Sequence, residues 1–128
     1  MEQKSVSFEQ LIVWRKAHDL VLKVYQITSG FPKHEIFGLT SQFRRAAVSI
    51  PANIAEGYAK KTKPDKMKFF NISQGSLEEC RYYILLSKDL YYISTSDYDN
   101  MNLIASEISK LLTSYLTKIQ TEYSKNNL

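Results

Sequence analysis

The sequence predicts an all-α protein, an antiparallel up-and-down four-helix bundle. Two observations predict this fold. The 128 residues include only 4 Gly and 3 Pro, too few turn formers for a many-stranded sandwich or barrel. Apolar residues also recur at helical spacing in four long segments, and the short connections between them favour antiparallel neighbours. We expect a single domain over residues 1–128, with its core at about 8–123.

The first helix is predicted from Phe8 to Thr28, with Ser7 and Gln10 as a capping box. The apolar residues of this helix form two neighbouring stripes. One stripe consists of Leu11, Trp14, His18, Val21, Tyr25 and Thr28. The other consists of Val13, Ala17, Leu20, Val24 and Ile27. Together they span roughly 180° of the helix, whereas a bundle core uses little more than about 100°. The surplus predicts contact with another molecule, so the bundle is expected to be a subunit of a larger assembly. His18 is predicted to be a core or interface residue.

The second helix is predicted from Leu39 to Glu56, with Gly57 as its stop. Pro51 lies inside it. Because proline removes one backbone hydrogen bond and presses on the preceding turn, we expect a kink at Pro51. The alternative is two short helices broken near Ser49, but the apolar spacing keeps its phase across the proline.

The third helix is predicted to begin near Pro64, with Thr62 and Asp65 as a cap pair, and to continue to about Tyr91. Gly75 lies in its middle, where a glycine costs about 1 kcal/mol of helix propensity. Close approach by another helix is the expected compensation. The fourth helix is predicted to follow the segment 94–96 and to end near Tyr123.

Motifs for catalysis and metal binding are missing from the sequence. His18, His34 and Cys80 have no motif partner nearby along the chain, and a nucleophile needs both a base and an orienting group. No His-x-x-x-His, Glu-x-x-His or Cys-x-x-Cys spacing occurs, and the glycines form no phosphate-binding loop. We therefore expect a non-enzymatic protein with no cofactor, no metal and no small-molecule substrate.

The predicted location is the cytoplasm. A single Cys excludes an intrachain disulfide and favours a reducing compartment. The first residues contain no apolar signal-peptide core, and the longest apolar runs are far shorter than the ~20 residues that span a membrane.

The net charge of +4 is concentrated in one segment, residues 42–68. It holds seven cations against Glu56 and Asp65: Arg44, Arg45, Lys60, Lys61, Lys63, Lys66 and Lys68. Such a cluster is a candidate nucleic-acid-binding surface, because cations that neutralise phosphates release bound counterions. The alternative is a lysine-rich loop that serves only solubility.

A polar stripe borders the apolar face of the second helix. Its members lie within about 80° of one another on the helix: Gln42, Arg45, Ser49, Asn53 and Glu56. Ser and Asn are poor choices for an exposed helix interior. The stripe therefore predicts a hydrogen-bond network or an interface, with Ser76 and Glu79 of the third helix as partners. The alternative is an ordinary solvated face.

The stretch 31–57 resembles the signature of a bacterial family, the 23S rRNA intervening-sequence proteins or four-helix-bundle proteins. It reads FPKHEIFGLTSQFRRAAVSIPANIAEG, and LIVWRKA at 11–17 and GSLEE at 75–79 extend the likeness over roughly residues 8–120. The resemblance implies four-helix bundles that assemble as ring-like homopentamers. It also implies similarity to the accessory proteins of diversity-generating retroelements, which are basic pentamers that bind nucleic acid. It supplies no catalytic residue. One departure is the Lys60–Pro64 segment, where many relatives have an Arg- and Ser-rich turn.

The combined expectation is a homo-oligomeric, non-enzymatic bundle that binds RNA or DNA through the basic segment. The alternative is a protein-interaction scaffold without nucleic-acid binding, which the surplus apolar stripe and the nine Tyr favour.

Overall fold

The computed structural model describes residues 7–126, and within them four α-helices and no β-strand occur. The helices are α1 (Ile12–Thr28), α2 (Leu39–Ala59), α3 (Lys63–Asp89) and α4 (Thr95–Asn126). Short 3₁₀ turns at Phe8–Gln10 and Lys33–Glu35 precede α1 and α2. The all-helical prediction is confirmed.

Cross-helix pairs show that neighbouring helices run antiparallel. Lys16 Nζ lies 2.7 Å from Glu107, and Lys23 Nζ lies 3.3 Å from Asp97, so the numbering rises along α1 as it falls along α4. The same order relates α3 to α4 through the pairs Gln74–Thr113 and Arg81–Ser106. Each helix packs on the next along the chain, and α1 closes the bundle against α4.

The core contains one of the two predicted stripes of α1 almost completely. Val13, Ala17, Leu20 and Val24 are fully buried. From the other helices, the largest fully buried side chains are Phe43, Ile50, Ile54, Leu77, Ile84, Met101, Ile108 and Leu112. The other predicted stripe, which starts at Leu11, is only partly in the core. Leu11, Val21 and Thr28 are buried, Trp14 is half-buried, and His18 and Tyr25 are exposed. His18 is therefore not a core residue, and its ring stacks on Trp14 with 5.0 Å between centroids.

The start of α1 differs from the prediction. Residues Phe8–Gln10 form a separate 3₁₀ turn, Leu11 is extended, and the α-helix begins at Ile12. Ser7 makes no side-chain cap hydrogen bond, so the predicted capping box is not formed. The helix nevertheless ends at Thr28, as predicted.

Helix α2 is continuous through Pro51, which excludes the break near Ser49. It also passes the predicted stop at Gly57 and ends at Ala59. Gly57 does not end the helix; its role is to let α3 pack closely on α2. A Cβ there would lie 3.2 Å from Cβ of Phe69 and 3.4 Å from the Lys66 carbonyl oxygen, so the start of α3 packs directly on the glycine.

Serines, and not Gly75, mark the close approach between α2 and α3. The prediction that another helix approaches closely at Gly75 is wrong, because a Cβ added there would meet nothing within 4 Å. Ser73 is fully buried and donates to the Ile50 carbonyl at 2.9 Å, and Ser76 donates to Ser49 Oγ at 2.7 Å. The predicted cap of α3 is confirmed, since Thr62 Oγ1 accepts a hydrogen bond from the Asp65 amide.

Candidate nucleic-acid interface

The seven cations of the basic segment lie in two separate places on the bundle. Arg44 and Arg45 belong to the first turns of α2, whereas the five lysines surround the hinge between α2 and α3. At the helical rise per residue, about 22 Å separates Arg45 from Lys60. The charge excess that is continuous in the sequence is therefore divided in space.

Arg44 is held against α1. Its Nε donates to Thr28 Oγ1 at 2.8 Å, and its guanidinium lies 4.7 Å from the ring centroid of Tyr25. The Thr28 hydroxyl in turn donates to the Val24 carbonyl at 2.7 Å. This arrangement gives Arg44 a structural role, tying α2 to α1.

Around the hinge, two lysines flank one aromatic ring. The Nζ atoms of Lys60 and Lys68 lie 5.0 Å and 5.7 Å from the ring centroid of Phe69. Lys61 and Lys68 are exposed, and Lys60 and Phe69 are partly exposed. Ammonium groups beside a partly exposed aromatic ring are a suitable combination for meeting phosphates and bases.

The other two hinge lysines are engaged with the protein. Lys66 Nζ donates to the carbonyls of Tyr58 at 2.8 Å and Gly57 at 3.3 Å, and so caps the last turn of α2. Burial, and to a lesser extent the charge of Lys63, lowers the pKa of Lys66. Lys63 Nζ lies 3.8 Å from a carboxylate oxygen of Glu122 on α4.

Helix α4 adds a cation that the sequence prediction did not include. Lys118 lines the same cavity as Lys66, together with Tyr115 of its own helix. More than fifty residues separate Lys118 from the hinge, and only the antiparallel return of α4 brings them together. These residues make up the basic end of the bundle: Lys60, Lys61, Lys63, Lys66, Lys68 and Lys118.

Six of the seven predicted polar residues lie between α2 and α3. Gln42, Arg45, Ser49, Ser76 and Glu79 line one surface groove of about 470 Å³. Asn53 extends it, because its Nδ2 donates to the Ser49 carbonyl at 2.8 Å and to Ser49 Oγ at 2.9 Å.

The groove's hydrogen bonds thus join Ser49, Asn53 and Ser76. Glu56 lies outside the groove lining and is exposed. Burial and then the charge of Glu79 raise the pKa of the neighbouring Tyr83. That this groove is an interface stays a prediction.

Three features bear on metal binding, cysteine chemistry and membrane insertion. Within residues 7–126, no group of three or more His, Cys, Asp or Glu side chains could hold a metal ion. Cys80 is fully buried, and that burial, aided by the charge of Glu79, raises its pKa to about 12. In the same part of the chain, no helix combines the length and the apolar character needed to cross a bilayer.

The fold and this surface define a four-helix-bundle protein with a group of lysines beside the α2–α3 hinge. Residues 9–114 match the family model described as 23S rRNA-intervening sequence protein, and the chain belongs to this family. It is similar to a protein of unknown function from the S23 ribosomal protein family of Bacteroides thetaiotaomicron, known from a crystal structure. The two share 25% identity with a TM-score of 0.77, over 83% of this chain and 96% of the other. The comparison with curated proteins gives no match.

Proposed function

We propose that this protein is a non-enzymatic, homo-oligomeric four-helix bundle that binds RNA or DNA through its basic end. The observation that carries the proposal is the pair formed by Lys60 and Lys68 around the Phe69 ring, with the exposed Lys61 next to Lys60 in the chain. The proposal needs no cofactor, metal or small-molecule substrate, and it assumes a cytoplasmic protein.

Assembly would multiply a weak site. One hinge carries few cations that are not already engaged, so a single bundle is expected to hold a nucleic acid weakly. A ring of several copies, a pentamer by the family resemblance, would present the basic end repeatedly to one strand. Linked sites then raise the overall affinity through effective concentration.

The proposed subunit interface includes an apolar groove between α1 and α2. The groove has a volume of about 350 Å³, and Trp14, His18, Val48 and Pro51 are among the residues that line it. Val48 is 41% exposed, a large apolar side chain that contact with another subunit would cover. The predicted kink at Pro51 belongs to this proposal, since a bend there would shape the groove.

Light scattering tests the assembly. We expect the wild-type protein to have a mass well above that of a monomer. Val48→Glu places a charge in the groove and should reduce the mass, whereas Leu103→Glu is the matched control, because Leu103 is a 62% exposed residue of α4. A wild-type protein that is a monomer would rule out the assembly.

Gel-shift titrations at two salt concentrations test the binding, on single-stranded RNA and DNA and on duplexes. We expect affinity to fall steeply with salt. The variant Lys61→Glu/Lys68→Glu should bind weakly, with a salt slope smaller by about 1 per lysine. The matched control Lys33→Glu/Lys110→Glu makes the same change of net charge at exposed positions away from the basic end and should bind like wild type. Absence of binding by the wild type at low salt would contradict the proposal.

The second candidate function is a protein-interaction scaffold, and an observation at the opposite end of the bundle favours it. Phe37 and Tyr91, in the α1–α2 and α3–α4 connections, are each 93% exposed. Tyr91 also has a φ of 62°, a left-handed conformation that is unfavourable for an aromatic residue. In the scaffold case, charge reversal at the basic end should matter little in cells, and replacement of Phe37 and Tyr91 should abolish function.

A further inference from the structure

An apolar cavity opens beside the hinge lysines, between the start of α1, the α2–α3 hinge and the last turns of α4. Its volume is about 300 Å³. The floor consists of Leu11 and Phe70, which are 9% and 3% exposed. The walls consist of Tyr58, Tyr115 and Ile119, which are half-buried and pack against the core. Among residues 7–126, no helix fills this space.

The size and lining of the cavity suit a flat aromatic group. An engineered cavity of about 150 Å³ is sufficient to bind benzene, so this one can hold a larger ring system. The rings of Phe70 and Tyr115 stack with 6.2 Å between centroids and 27° between planes. Their orientation, with the hydroxyl-bearing rings of two tyrosines in the walls, favours a planar ligand with polar edges over an aliphatic chain.

The charged residues of the cavity determine which aromatic ligands can enter. Lys66, Lys118 and Glu122 complete its lining. Lys66 is fixed by donating to the carbonyls of Gly57 and Tyr58, and an ammonium group has a third N–H that can meet a phosphate oxygen. Glu122 lies 3.8 Å from Lys63, so a phosphate is expected on the side of Lys66 and Lys118. This arrangement selects an aromatic group that carries a negative charge.

We propose that the cavity accepts one unstacked base of a single-stranded nucleic acid, with Tyr115 as its stacking surface and the adjoining phosphate on Lys66 and Lys118. The inference rests on the proposed function and specifies its ligand. Every base has a π-face, so stacking of this kind tolerates different sequences. Bases paired inside a duplex cannot enter, and the protein is therefore a single-strand binder.

The test compares two probes of equal length and charge: a short single-stranded oligonucleotide and the same sugar-phosphate strand without bases. The wild-type protein should bind the intact strand about 5- to 150-fold more tightly, the effect expected of stacking one base. Tyr115→Leu keeps an apolar wall but removes the ring, and it should bring the two affinities together. Tyr82→Leu makes the same change at a residue of α3 outside the cavity and should leave the ratio unchanged.

The possible failures are distinguishable. Equal binding of the intact and abasic strands by the wild-type protein would overturn the base cavity while leaving electrostatic binding at the basic end in place. Equal affinity for a duplex would overturn it in the same way. No binding of any probe at low salt would contradict the proposed function itself. The wild-type comparison needs no variant, so the inference can be tested even if Tyr115→Leu fails to fold.

Discussion

The hydroxyl of Tyr92 donates a hydrogen bond to the Glu35 carboxylate across 2.8 Å, although 57 positions separate them in the sequence. The other carboxylate oxygen accepts from the Leu39 amide at 3.2 Å. One side chain thus ties the α3–α4 connection to the first turn of α2. The Tyr92 ring also packs on Phe31, with 5.1 Å between centroids, so both connections at this end of the bundle are held together.

This relationship predicts a specific acid sensitivity. The hydrogen bonds from Tyr92 and then from Leu39 lower the pKa of Glu35 below its ordinary value of 4.5. A carboxylate with a lowered pKa in the folded state contributes stability above its ordinary pKa, and that contribution is lost as the pH falls through the folded value. Glu35→Gln should therefore be less stable than wild type at neutral pH, and the difference should shrink in acid.

Thermal unfolding followed by circular dichroism between about pH 6 and pH 3 measures this difference. Tyr92→Phe serves as a second variant, because it removes the larger of the two causes and keeps the carboxylate. It should reduce the acid sensitivity only in part. Parallel losses of stability in wild type and Glu35→Gln would show that the contact does not contribute.

Two helical glycines are predicted to respond to alanine in opposite directions. Gly75→Ala adds a methyl group that meets nothing within 4 Å, so it should stabilise the protein by about 0.5–1 kcal/mol through helix propensity. Gly57→Ala places a methyl group 3.2 Å from Cβ of Phe69. Because that neighbour is fixed to the backbone of α3, the variant should be destabilised by about 1 kcal/mol. Urea unfolding measures both, and equal shifts of the same sign would contradict the packing described here.

Two buried serines form a similar pair. Ser73 donates to the Ile50 carbonyl, whereas the hydroxyl of Ser87 is buried with no hydrogen-bond partner among the residues that the structure describes. Ser73→Ala should cost about 1 kcal/mol, the value of one hydrogen bond. Ser87→Ala removes a desolvated hydroxyl and should stabilise the fold by about 1 kcal/mol. The free energies of unfolding in urea decide this, and a destabilised Ser87→Ala would mean that the hydroxyl does have a partner.

The single cysteine should be unreactive in the folded protein. Burial raises the pKa of Cys80 from 9.0 to about 12, and only the thiolate attacks thiol reagents. At neutral pH its thiolate fraction is then about a thousandfold below that of an ordinary cysteine, since each pKa unit is a factor of ten. Labelling with a disulfide reagent should be slow in buffer and rapid in denaturant. Rapid labelling under native conditions would show that the α3 core opens easily.

The sequence by itself determined the four helices, because apolar residues at helical spacing and a shortage of turn formers leave few other folds. It also determined the N-cap at Thr62, a local hydrogen bond within one turn. Local patterns were less successful at helix ends. Gly57 looks like a stop, but α2 continues past it, because the glycine is needed for contact with Phe69 on another helix.

Only the tertiary structure decided which residues share a surface. In the sequence, Arg44 and Lys61 belong to one basic segment, yet α2 carries them to different parts of the bundle. Conversely, Tyr115 and Lys118 join Lys66 only because α4 returns antiparallel to the hinge. Helical spacing predicts which side of a helix is apolar, but it does not say which helix packs against that side. The cavity beside the basic end is formed by contributions from all four helices or their flanking turns, and so it could not be read from any one of them.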